Sequence, residues 1–65
     1  MDSKKIGKKL RKLRGKRTLN EVAKKIGVST SAMAMYERGE RIPRDEIKVS
    51  IANFYDVSIT DLFFI

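Results

Sequence analysis

Residues 18–39 read TLNEVAKKIGVSTSAMAMYERG, and the fold is decided here. Thr18 and Glu21 have capping-box spacing, in which hydroxyl and carboxylate satisfy each other's backbone donors. Val22, Ala23 and Ile26 then fall on one helical face. Gly27 stands where a helix wants a left-handed residue past its end. Ser29 is placed to cap a second helix and Gly39 to stop it. Met33 and Tyr36, three apart, are its expected inner face, so Thr30, Ser31, Ala34 and Arg38 are expected to point outward. Few residues separate the two helices around Gly27-Val28-Ser29. Such a tight turn sends the second helix off at a steep angle, as in a helix-turn-helix. Ala23 is small enough for a close crossing, and Val28 is expected to plug the turn into the core.

Working outward, every other piece has helical periodicity. SKKIGKKLRKLR carries Ile6, Leu10 and Leu13 as one apolar stripe on a cationic helix, with Asp2 or Ser3 as its cap. After the turn at Glu40–Pro43, RDEIKVSIANFY puts Asp45 and Glu46 in a first turn and Ile47, Ile51, Phe54 and Tyr55 on a stripe. Ser58 and Asp61 repeat the cap pattern before Ile59, Leu62 and Phe63. Each piece is too short to be stable alone in water. The expectation is an all-α, compact five-helix domain spanning residues 1–65, with the helix-turn-helix at about 18–38.

Composition bounds the function. The chain has 65 residues, no cysteine and no histidine, which removes disulfides, thiolate metal sites and the commonest general base. No phosphate-cradling glycine loop and no inward carboxylate cluster is present, so an enzyme is not expected, and no cofactor or metal is implied. No apolar run approaches the roughly 18 residues of a membrane span, and no signal peptide is apparent; a cytoplasmic protein is expected. The net charge is +7 and unevenly spread. Residues 1–33 hold eleven Lys/Arg against two acids, a balance of +9; residues 34–65 hold four against six, a balance of −2. One basic face for a polyanion is the implication, with nucleic acid ahead of an acidic membrane.

With these residues on the page, the chain resembles the lambda-repressor-like (Cro/Xre-type) helix-turn-helix family. The likeness rests on TLNEVAKKIGVSTSAMAMYERGERIP followed by IANFYDVSITDLF and covers about residues 4–63. It implies five helices and double-stranded DNA binding, usually as a homodimer on a palindromic operator, and usually as a transcriptional repressor. It implies a recognition helix at about Thr30–Arg38, with Thr30, Ser31, Ala34 and Met35 toward the major groove. It also implies a structural pair between Arg14 and Glu37.

The outward residues have a legible chemistry. Hydroxyls of Thr30 and Ser31 suit base edges or phosphates, and methyl groups of Thr30, Ala34 and Met35 suit thymine methyls. None of these makes a bidentate base pair contact. Much of the affinity is therefore expected from phosphates, with sequence choice leaning on apolar contacts, water and DNA shape. Arg38 is the basic residue expected to reach a base or a phosphate. Phosphate contacts are expected from Lys16 and Arg17, from the helix N-terminal amides around Leu19 and Asn20, and from Arg41 and Arg44. Each of these cations is also readable as simply solvated.

Four departures from the family pattern stand out. Leu19 replaces a frequent glutamine, the Gly15-Lys16-Arg17 loop is short, Tyr36 replaces a common tryptophan, and Asp56 stands where glycine often ends the fourth helix. One short terminal helix cannot bury all of the tail LFFI, so Leu62, Phe63, Phe64 and Ile65 are the expected dimer interface. Folding of the tail onto its own core, or continuation into a further domain, are the alternatives. Two other functions stay open: an antitoxin-type interaction module that also binds DNA, and a basic amphipathic membrane-surface protein.

Overall fold

The computed structural model describes residues 1–65. Five helices follow in order: α1 (Ser3–Arg14), α2 (Leu19–Ile26), α3 (Thr30–Arg38), α4 (Asp45–Tyr55) and α5 (Ile59–Phe63). Four of them start on a side-chain cap. Asp2 Oδ1 accepts the Lys4 and Lys5 amides at 3.1 and 3.2 Å. The hydroxyls of Thr18, Ser29 and Ser58 accept the amides of Glu21, Ala32 and Asp61 at 3.1, 3.0 and 2.9 Å. α4 begins after Arg44 without such a bond, and Asp45 and Glu46 place negative charge in its first turn. The capping box is half formed. The Glu21 carboxylate does not return to Thr18 but lines a surface cleft with Arg17, Lys24, Lys25 and Phe54.

Three helices end alike. The amides of Val28, Glu40 and Val57 reach back to the carbonyls of Ala23, Met35 and Ala52 at 3.1, 3.0 and 3.0 Å. Each closure needs a left-handed residue just before it. Gly27 and Gly39 supply two, with φ of 90° and 73°; Asp56 supplies the third, with φ of 55°.

The core joins all five helices through Ile6, Leu10, Val22, Ala23, Ile26, Met33, Tyr36, Ile51, Leu62 and Phe63. α1 lies directly on α3. At Gly7 a β-carbon would land on the Glu37 carbonyl oxygen and 2.9 Å from that of Tyr36. Glycine there is a contact requirement, because both obstacles are backbone. Two lysines of α1 fasten the neighbouring helices: Lys4 Nζ donates to the Arg38 carbonyl at 3.1 Å and Lys9 Nζ to that of Asp61 at 2.8 Å.

The end of the chain corrects one expectation. Leu62 and Phe63 are fully buried in the core and are unavailable as a dimer surface. α5 packs against α1 and α4, and those two helices enclose both side chains. Phe64 and Ile65 remain exposed. The Asp2 amide donates to the Ile65 carbonyl at 2.8 Å, tying the tail to the start of α1. Lys48 is buried. Its Nζ reaches Asp45 Oδ1 at 3.3 Å and lies 5.8 Å from the centre of the Phe64 ring. No helix is long and apolar enough to cross a membrane.

Candidate nucleic-acid interface

Burial sorts α3 into two faces. Met33 and Tyr36 are buried; Thr30, Ser31 and Arg38 are exposed; Ala34 and Met35 are half-buried. Thr30, Ala34 and Arg38 therefore form an outward row at a spacing of four, a row of short side chains closed by one arginine.

The start of that row is tied to α2. Thr30 Oγ1 donates to Asn20 Oδ1 at 3.2 Å, which leaves the side-chain nitrogen of the exposed Asn20 with its donors unused. The Leu19 and Asn20 backbone amides belong to the first turn of α2, whose donors the helix itself leaves unpaired. With Thr18 taken up by Glu21, these two amides are free to hold an anion at the positive end of the helix. Loss of a glutamine at Leu19 thus leaves the backbone donors in place, with Asn20 beside them.

Two further cations lie at the turn between α2 and α3. Arg41 and Arg44 line a cleft of about 450 Å³ together with Val28, Ser29 and Ala32, the turn and first turn of α3. Arg17 is placed differently. Its guanidinium lies 5.4 Å from the centre of the Phe54 ring and 5.9 Å from that of Tyr55, stacked on the end of α4. Lys16 is exposed and makes no intramolecular bond.

The far end of α3 carries two ion pairs on successive residues. Arg14 Nε donates to Glu37 Oε2 at 2.8 Å, with side chains only 14% and 7% exposed. Arg14 also donates to the Arg17 carbonyl at 2.7 Å, so one guanidinium fixes α1, α3 and the loop before α2. The Glu37 hydrogen bond pushes the Arg14 guanidinium further above its already high pKa. Burial, followed by the Glu37 charge, pushes the neighbouring Tyr55 phenol up. Arg38 instead pairs with Glu40: Nε to Oε2 at 2.7 Å and a second nitrogen to Oε1 at 3.1 Å. That hydrogen bond holds the Glu40 carboxyl below the usual glutamate value. Sequence reading missed Glu40 and Lys4 at this end of the site. A glutamate two residues past a helical arginine follows no helical spacing, and Lys4 arrives only through the α1–α3 crossing.

A family model described as helix-turn-helix matches residues 8–62. The chain belongs to the Cro/Xre-type helix-turn-helix family. Membership makes α2 and α3 a helix-turn-helix of the DNA-binding kind. The transcriptional repressor RstR of the cryptic phage CTXphi, from Vibrio cholerae, is 43% identical over 56 residues, which cover 83% of this chain and 50% of the relative. The chain thus spans about half the length of that relative. No solved structure matches the chain. The Thr30–Ala34–Arg38 row is the outward face of α3, the second helix of the motif.

Proposed function

We propose that residues 1–65 act as one sequence-specific DNA-binding domain of a repressor that binds a palindromic operator as a homodimer. The observation that carries the reading is the outer row of α3, with its small side chains flanked by free donors. Thr30, Ser31, Ala34, Met35 and Arg38 face base edges. Lys16, Arg17, the Leu19 and Asn20 amides, Arg41 and Arg44 hold phosphates on either side. Small side chains on α3 let the helix sit deep in a major groove, where methyl groups meet thymine methyls. The repressor named among the chain's relatives supports the direction of regulation. Phe64 and Ile65, exposed on the tail, form the apolar part of the dimer surface.

The test is selection from a random-sequence duplex pool at two salt concentrations. The expected result is enrichment of a short inverted repeat, with half-sites about one helical turn apart. Ala34→Glu is expected to abolish that binding with the helical circular dichroism unchanged. Enrichment of single half-sites would remove the dimer; undiminished binding by Ala34→Glu would remove α3 from the groove.

A further inference from the structure

We infer that Glu40 is a specificity-determining residue: a carboxylate that holds Arg38 closed against arbitrary DNA and releases it on the matched site. The inference rests on α3 being the recognition helix.

Arg38 is the one charged side chain on the outer row of α3. The side edge of its guanidinium, Nε with one terminal nitrogen, is occupied by Glu40, at 2.7 and 3.1 Å. Bidentate recognition of a guanine edge uses the same two-donor fork. While the pair holds, that fork is withheld from DNA and the Arg38 charge is neutralised by Glu40.

The surroundings let the pair part by side-chain rotation while the backbone stays. Glu40 is anchored through its backbone, since its amide donates to the Met35 carbonyl at 3.0 Å. Gly39, immediately before it, is buried with Lys4 and the Ser3 carbonyl where its β-carbon would be. The Arg38 side chain is 57% exposed and free to swing. Lys4 Nζ, held on the Arg38 carbonyl at 3.1 Å, adds a second positive charge that acts on the Glu40 carboxyl at longer range. When Arg38 leaves, the Glu40 charge is not stranded, and exchange is possible without moving a helix.

Discrimination follows. On an arbitrary duplex the contacts of Thr30, Ala34 and Met35 fit poorly, Arg38 stays with Glu40, and the surface lacks one phosphate-binding charge. On a matched duplex those contacts seat α3, and Arg38 exchanges two bonds to Glu40 for two to DNA.

The experiment measures binding of the wild type, Glu40→Gln, Arg38→Ala and the double variant to the selected operator and to a scrambled duplex, across salt concentrations. Glu40→Gln is expected to tighten binding to the scrambled duplex about tenfold and to the operator much less, so the specificity ratio falls. The salt slope on the scrambled duplex should steepen by about one unit, the mark of one added phosphate contact. With Arg38→Ala already present, the preference of this effect for scrambled DNA should vanish. Equal tightening on both duplexes in both backgrounds would overturn the inference, leaving Glu40 as a diffuse negative charge. Weaker operator binding by Glu40→Gln would also overturn it, since Glu40 would then contact DNA itself. Failure of the wild type to prefer any duplex would overturn the recognition-helix reading first, and this inference with it.

Discussion

Glu37 and Arg38 are neighbours in sequence, and each forms an arginine–glutamate pair of nearly the same length, 2.8 and 2.7 Å. Their surroundings differ. The Arg14–Glu37 side chains are 14% and 7% exposed, whereas those of Arg38–Glu40 are 57% and 49% exposed. Bond length therefore says nothing about role. A buried pair is expensive to break, because the surviving partner keeps its desolvation cost without its counter-charge. An exposed pair is screened by water and gives way easily. One residue along the chain, the same chemistry passes from a brace between helices to a contact that can be exchanged.

The comparison can be broken from the α1 side. Gly7→Ala puts a methyl group into the Glu37 and Tyr36 carbonyls, so α1 must leave α3 and carry Arg14 with it. Overpacking against backbone, with loss of the pair, is expected to cost at least about 3 kcal/mol, read as a lower urea midpoint. A midpoint like that of the wild type would mean the α1–α3 contact is soft. Glu37→Ala attacks the pair directly and is expected to cost about 2–3 kcal/mol by the same measurement, leaving Arg14 half-desolvated and unpaired. Glu40→Gln sharpens the contrast from the other side: it should leave the thermal midpoint of the free protein unchanged while altering DNA binding. A large drop in that midpoint would make the second pair a brace as well.

Much of the fold is legible in the sequence because its signals are local. Asp2, Thr18, Ser29 and Ser58 cap the helices that they precede, and Gly27 and Gly39 end α2 and α3 in left-handed backbone. The inner and outer faces of α3 follow from the spacing of Met33 and Tyr36. What escapes sequence reading depends on how helices cross. Gly7 looks like a weak point inside α1 until α3 is laid on it. Nothing in its own helix marks Lys48 for burial; that needs the tail folded beside it. Phe63 reads as a sticky end because periodicity within α5 cannot reveal that α1 and α4 enclose it. The same holds for the site. The outer row is written in α3 alone, while the Glu40 clamp and the Lys4 contact need the chain traced through Gly39 and across to α1.

The three matching helix ends have a stereochemical consequence. At residues 27, 39 and 56 the backbone takes the conformation natural to a mirror-image amino acid. Glycine has no handedness and meets the demand at the first two positions without conflict. Asp56 is an L-residue held at φ 55° and ψ 48°, close to the inverse of an ordinary helical residue. Of the three, it alone feels its own chirality. The end of α4 is thus the point where the homochiral chain and the shape it must adopt disagree.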